Sequence, residues 1–432
     1  MSRRGRGQGR SGPSPRVSVF TPSHQPRFLD DCLASLRRQT FTDWEWVVLL
    51  NQGARWRPEQ PDERVRVEVA DDVKGVGAAK RRACAATRGE FLVELDHDDV
   101  LAADCLGRIV AAFDADPDAV LVYSDCAQIQ ADGSADTSRF DIAHGWEYED
   151  AEVDGRAVLS LRSLAPVPHN VSYIWYAPNH VRAFRFNAYD KVGGYDAERD
   201  VLDDQDLMCR LYQAGPFRHI PQCLYLQRVH ADSTQRDPET NARIQRETVA
   251  LYDRHVEGNA LAWAERGGLL ALDLGAAHGK PAGYLGVDRL PGEGVDITGT
   301  LPGPLDLADG SVGVIRAVDF LGQVPDKTGL INEIHRLLAP GGMLLSRTPS
   351  TDGRGAFQDP THTAFYNENS FWYYTDDAYR RFVPGLTARF QTSRLVTYHP
   401  TPWHEAHRIP YVAANLVAVK DGAPRFGGLL RV

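Results

Sequence analysis

The sequence predicts an α/β protein made of two consecutive units, each a mostly parallel sheet with helices on both faces. Three observations lead there. At 432 residues the chain is too long for one ordinary hydrophobic core. Short apolar runs alternate with segments whose apolar residues recur every three or four positions, the pattern of strand–helix–strand units. That alternation breaks off in the middle and restarts near residue 268.

The first unit is expected over 16–257. "RVSVFTPS" reads as a strand entering a Pro-containing turn. In "PRFLDDCLASLRRQT", Leu29, Cys32, Leu33 and Leu36 share one helix face. "DWEWVVLLNQ" is a second buried strand, and "GVGAAKRRACAATRG" an Ala-rich helix stopped by Gly89. "EFLVELDHDD" is the next strand and "AADCLGRIVAAFDADPD" the next helix. From about 127 to 190 the chain reads as irregular and aromatic-rich, the character of substrate loops. "DPETNARIQRETVALYDRHV" is a helix leading into 258–267, expected as a linker. The second unit, 268–432, runs through strands "LLALDLG", "GYLGVD" and "VGVIRAVDF", helix "KTGLINEIHRLLAP" and strand "GMLLSRTPS". No internal repeat relates the halves.

Composition narrows the function. A chain that is 43% hydrophobic and 25% charged is globular. Its net charge of −10 excludes nucleic acid as the main partner, because phosphate binding needs a basic footprint. Only the start is basic: residues 1–15, within "MSRRGRGQGRSGPSPR", have the composition of a disordered tail and lack the apolar core of a signal peptide. No apolar run approaches the roughly 20 residues that span a bilayer. Six cysteines without CxxC spacing suit reduced thiols, so a cytoplasmic location is expected. The oligomeric state leaves no mark in the sequence.

The stretch "EFLVELDHDDVL" carries the first chemical signal. An apolar run leads straight into Asp96, Asp98 and Asp99, with His97 among them. Negative charges crowded at a strand end need a positive group nearby, unless they form a solvated acidic loop. In parallel sheets ligands gather at the carboxyl ends of strands, where this group falls.

Four stretches in order carry a family resemblance: "VSVFTPSHQPRFLDDCLASLRRQTFTDWEWVVL", "GVGAAKRRACAATRGEFLVELDHDD", "VGGYDAERDVLDDQDLMCRL" and "LQRVHADST". Together they resemble the inverting family-2 glycosyltransferases, which implies a GT-A nucleotide-sugar-binding fold. The donor implied is a nucleotide-sugar, UDP-linked by preference, and the acceptor a hydroxyl group. The sugar implied is a hexose or N-acetylhexosamine, used in glycoconjugate, polysaccharide or natural-product synthesis. A divalent metal, Mn or Mg, neutralises the diphosphate leaving group, and hard cations prefer carboxylate oxygen. The resemblance assigns the metal to Asp98 and His230, and Asp96 to the ribose or a metal-bound water. Asp99 is alternatively a cap for the following helix, and His97 a loop side chain facing away. Asp204, in "LDDQDLMCRL", is the implied catalytic base, because inversion needs a base opposite the leaving group. Asp203 and Asp206 are its alternatives, either of them also a helix cap, and an Asp206–Arg210 ion pair fits the i,i+4 spacing. Thr21, Pro22, Asn51 and Lys80 occupy nucleotide-contact positions. Asn51 stands where an Asp is usual, and Lys80, where an Arg is usual, has a solvated helix face as its plain reading. Trp175, Asn179 and His180, with Tyr176, lie in the implied acceptor region; Trp175 has a core role as its plain reading.

Residues from 268 are similar to class I methyltransferases that use S-adenosylmethionine, through "LALDLGAAHG", "GYLGVD" and "EIHRLLAPGGMLLSRTPS". The resemblance implies a shortened Rossmann-like domain with Asp273, Gly275, Gly279 and Asp288 at the cofactor. A Gly-rich turn lets the cofactor approach the backbone, and an acid ending the next strand takes the ribose hydroxyls. Only eight residues separate Gly279 from Asp288, too few for the usual intervening helix. Three readings follow: a second, methylating activity; a noncatalytic fold; or a module that binds the acceptor or a partner. Asp359, His362 and Asn369, in a polar and aromatic stretch, are further pocket candidates.

Overall fold

The structure, a computed structural model, describes residues 14–139, 145–174, 177–230, 238–276 and 279–421. Its first sheet has ten strands: β1 (Val17–Ser23), β2 (Trp44–Leu50), β3 (Val65–Val69), β4 (Phe91–Glu94), β5 (Val100–Leu101), β6 (Leu121–Gln130), β7 (Tyr148–Val153), β8 (Arg156–Leu161), β9 (Arg182–Arg185) and β10 (Phe217–Val229). The order is β3-β2-β1-β4-β9-β6-β10-β5, with the β7–β8 hairpin attached at β6. Strands β3, β2, β1 and β4 are parallel, as are β6 and β10, whereas β9 is antiparallel to both β4 and β6.

The period-2 geometry of the strands splits their side chains between two cores. Val17, Val19, Phe91 and Val93 face the helices Leu29–Arg37 and Cys105–Ala115. Phe20, Leu49 and Leu92 face the helices Val76–Ala86 and Asp203–Ala214, through Ala79, Ala83, Leu207 and Leu211. Helices therefore cover both faces, as the alternating pattern predicts. Each fully buried Val, Leu or Phe contributes about 1.5–3 kcal/mol through area removed from water.

The second sheet has seven strands: β11 (Leu270–Leu274), β12 (Leu285–Asp288), β13 (Ile297–Thr298), β14 (Val312–Val318), β15 (Leu338–Pro349), β16 (Phe390–Tyr398) and β17 (Tyr411–Ala418). Their order is β13-β12-β11-β14-β15-β17-β16; the first five are parallel and β17 is antiparallel to both neighbours. The helix Lys327–Leu337 starts at Asp326, whose side chain accepts from the Gly329 backbone.

Two expectations change. The stretch 127–190 is not irregular: it holds the rest of β6, the β7–β8 hairpin, the helix Pro168–Tyr173 and β9 at the centre of the sheet. Residues 258–267 are not a linker, because the helix Pro238–Arg266 runs almost through them. Asn259, Ala260 and Ala264 continue the buried face begun by Leu251, Tyr252 and Val256, so an uninterrupted helix buries more surface than a hinge. The apolar cluster around this helix reaches from Leu164 and Tyr173 in the first unit to Val314, Met343 and Val417 in the second. Among the described residues, no helix is long and apolar enough to cross a membrane.

Candidate active site

The turn after β4 is built by backbone bonds that leave some carboxylates open. The Thr21 hydroxyl donates to the Leu95 carbonyl at 2.7 Å and accepts from Trp46 Nε1 at 2.8 Å. The Asp96 amide donates to the Tyr225 hydroxyl at 3.1 Å. Arg228, on β10, braces the turn from below. Its amide donates to Asp99 Oδ1 at 2.6 Å, its Nε to the Asp98 carbonyl at 2.7 Å and its Nη2 to Asp31 at 2.9 Å.

Asp98 and His230 meet there, with Asp98 Oδ2 2.8 Å from His230 Nε2. His180 stacks on Tyr225 with ring centroids 4.7 Å apart and brings Nε2 to 3.9 Å from Asp96 Oδ2. Asp96 keeps 39% of its side chain open. Burial, with Glu94 and Asp98 nearby, pushes its carboxyl up to about 7 despite Lys80. Burial, with Asp98 and Asp96 nearby, raises Asp99 well above the ordinary carboxylate range. Excess negative charge of this kind favours a bound cation. Among the described residues, no three His, Cys, Asp or Glu side chains form a ready-made metal cage. A cation that bridges a diphosphate needs only one or two protein carboxylates, so Asp98, Asp96 and His230 fit that role.

A second acidic group stands on the helix Asp203–Ala214. Arg182 Nη1 donates to Asp204 Oδ2 at 2.5 Å and lies 3.9 Å from Glu94. Lys80 bridges Glu94 at 2.6 Å and Asp203 at 3.0 Å. Burial raises Asp203, and Lys80 offsets this only in part. Burial acts on Asp204 too, but Arg182 and Lys80 outweigh it and hold Asp204 below the usual range. The two neighbours are thus driven apart, Asp204 toward the carboxylate and Asp203 toward the neutral acid. Asp206 pairs with Arg210 at 2.5 Å, as the i,i+4 spacing predicts, and with His255 at 3.3 Å. Neither Asp203 nor Asp206 is a cap; the cap position is Leu202.

Several expected contacts change. The Thr21 hydroxyl is fully buried and occupied in holding β1, so it does not face a nucleotide. Asp99 caps no helix, because it turns inward to Arg228. His97 is a turn side chain, half-buried, with its ring 5.2 Å from that of His24. Lys80 is neither on a solvated helix face nor open to a base: it is buried between two acids. Asn51 is buried near the Val73 carbonyl, Pro22 is half-buried beside His97, and Asn179 is buried. Trp175 and Tyr176 lie outside the described residues. Glu94, Arg182, Arg228 and Tyr225 escape the sequence reading. A lone Glu inside the apolar run "FLVEL" was the signal for the first of them.

In the second unit, Asp273 is taken by Arg316 Nη1 at 2.7 Å. Gly275 is exposed with φ +83°, and a Cβ there would lie 3.0 Å from the Phe320 ring. Asp288 Oδ1 accepts from the Leu290 amide at 3.2 Å. No helix follows Gly279; β12 begins at Leu285, and the β12–β13 connection packs Gly294 against Ala276 and Gly279. With no helix following Gly279 among the described residues and its acid paired, the turn does not fit S-adenosylmethionine. Asp359 closes the turn at Thr361, His362 packs on Gly322, and Asn369 is exposed, so these three form no common pocket.

Comparison with known proteins adds to this geometry. Residues 18–155 match Glycosyl transferase family 2. This stretch is similar to that family and makes up about a third of the chain. It contains Asp96, Asp98 and Asp99 and ends before Asp204 and His230. The chain is 30% identical over 221 residues to the O-antigen biosynthesis protein RfbC of Myxococcus xanthus, covering 49% of this chain and 16% of that protein. It is 25% identical over 227 residues to the chondroitin synthase of Escherichia coli, covering 51% and 30%. The chain therefore spans well under half the length of these curated relatives. Among solved structures, S. aureus TarS 1–349 in complex with UDP-GlcNAc aligns at 14% identity and a TM-score of 0.41, covering 59% of this chain and 72% of that one.

Proposed function

We propose that the protein transfers a sugar from a nucleotide-sugar, UDP-linked by preference, to a hydroxyl acceptor with inversion at the anomeric carbon. The observation that carries this reading is the separation of two acidic groups at one end of the sheet. Asp96 and Asp98 stand with His230, while Asp204 stands on another element, held ionised by Arg182. A divalent cation at Asp98 and His230, with Asp96 beside it, would neutralise the diphosphate as it leaves. Asp204 then takes the acceptor proton while the new oxygen–carbon bond forms and the bond to the diphosphate breaks. The acceptor would then lie on the side of His180, with Asn179 buried next to it in the chain. The names of the relatives, an O-antigen biosynthesis protein and a chondroitin synthase, favour a polysaccharide or glycoconjugate product. A screen for nucleotide release from UDP-, GDP- and dTDP-sugars with Mn²⁺ or Mg²⁺ tests it. Turnover that depends on the metal is expected; no release from any donor sinks the reading.

For the second unit, from about residue 268, we propose a methyltransferase-like fold that does not methylate. Parallel strands with one antiparallel strand among them support the fold, whereas Arg316 takes Asp273 and no helix follows Gly279 among the described residues. Calorimetry with millimolar S-adenosylmethionine is expected to show no binding, and saturable heat would restore the methylating alternative.

A further inference from the structure

Between the two sheets lies a run of buried polar side chains that the transfer chemistry does not use. Ser393 is fully buried on β16, where the register with β17 slips between Thr392 and Arg394. A bulge takes one residue out of the ladder and re-aims its side chain. Here the Ser393 hydroxyl lies 2.8 Å from His169 Nδ1 and 2.8 Å from the Tyr252 hydroxyl. Asn415, on β17, donates to the same Tyr252 hydroxyl at 3.2 Å. His169 and Tyr252 are fully buried as well.

The network continues toward the active site. His169 lies in the first turn of the helix Pro168–Tyr173. The Ser172 carbonyl accepts from Gln205 Nε2 at 2.9 Å, and the Val171 carbonyl from Cys209 Sγ at 3.4 Å. Asn259, on the long helix, donates to the Ser172 hydroxyl at 2.9 Å. Gln205 follows Asp204 directly, and the chain leaving Tyr173 reaches Asn179 and His180. The helix Pro168–Tyr173 is thus held on one side by the second sheet and on the other by the helix that carries Asp204.

Apolar contacts alone would join the units without burying so many polar groups, each costly unless satisfied. Although Gln205 Oε1 has no partner, a hydrogen-bonded buried network specifies one arrangement where apolar packing tolerates several. We propose that Ser393 is a positioning residue for sugar transfer. Through His169 and Tyr252 it fixes the helix Pro168–Tyr173, and with it the placement of Asp204 against Asn179 and His180. The second unit then serves the reaction without touching the substrate. This inference rests on the transferase reading of the first unit.

The test compares full-length Ser393→Ala, Ser393→Thr and wild type on the nucleotide-sugar that the wild type turns over. Ser393→Ala is expected to lower kcat about tenfold or more, because small misplacements of reacting groups are costly. The donor KM stays unchanged, and Ser393→Thr restores the rate. Hydrogen exchange supplies a readout independent of turnover: amides of 168–174 and 203–214 exchange about tenfold faster in Ser393→Ala, those of β1 and β4 do not. An unchanged kcat, or a loss that threonine fails to restore, overturns the proposal. If the wild type releases no nucleotide, the transferase reading fails by itself, and unchanged exchange at 168–174 and 203–214 then overturns the coupling. Should Ser393→Ala not fold, Tyr252→Phe removes the other hydroxyl and carries the same measurements.

Discussion

In the proposed transfer, Asp204 is the side chain on which the chemistry depends most directly. Asp204→Asn keeps the shape and loses the base, so kcat is expected to fall roughly 10²–10⁴-fold with donor affinity retained. Steady-state kinetics check this, and full activity in a folded variant removes Asp204 from the mechanism. Arg182 holds Asp204 below the usual carboxylate range, so the base stays ionised through neutral pH. Arg182→Gln removes that support and raises the Asp204 pKa, and the acid limb of the kcat profile should move to higher pH. An unmoved limb assigns it to another group. Asp98→Asn should weaken the apparent Mn²⁺ affinity about tenfold or more, read from metal titrations of turnover. At this scale, the acids in "LDHDD" and "LDDQD" stand out in the sequence as clusters of one charge. Their partners do not. Arg182, Arg228 and Tyr225 arrive from strands far along the chain, and nothing local in "VRAF" or "YLQRV" says which acid they meet. Lys80 shows the same limit, since its helix position suits solvent until Glu94 and Asp203 close over it.

Among the elements, the long amphipathic helices and apolar strands follow directly from their periodicity. Strand β9 does not, because four residues bounded by arginines, "RAFR", carry no alternation long enough to read, although it forms the centre of the sheet. The helix Asp203–Ala214 is fixed at its first turn by Asp206, which burial pushes up while His255 and Arg210 outweigh it and hold it at about 2. Its folded pKa lies below the unfolded value near 3.9, so its contribution is complete above about pH 4 and is lost as pH falls through about 2. That contribution is about 2 kcal/mol at neutral pH, and Asp206→Asn should remove it together with its part of the acid sensitivity. Urea unfolding at pH 7 and pH 3 measures both. A variant as stable as the wild type at pH 7 would place the stability of this helix in its apolar face alone.

At the scale of the whole molecule, the restart of the strand pattern near residue 268 is legible, and the way the halves join is not. A stretch such as "EGNALAWAERGG" looks like a boundary because small residues and glycines usually mark one. Here Ala260 and Ala264 are small because the second sheet packs against them, Gly258 lies inside the helix close to Gln213, and only Gly267 and Gly268 end it. One apolar cluster runs from Leu164 and Tyr173 through Tyr252 and Val256 to Val314, Met343 and Val417, with Ser393 and Asn415 bonded across it. Chains of this length generally unfold domain by domain. This one is expected to give a single calorimetric transition, with the van't Hoff and calorimetric enthalpies in agreement, because neither unit loses the shared helix without exposing core. Truncation after residue 267 tests the same point, since it uncovers Tyr252, Val256, Ala260 and Ala264 at once. The shortened chain should melt well below the full one or aggregate, and two separate transitions in the full chain, or an unaltered melting temperature in the short one, would show that the interface is not part of the fold.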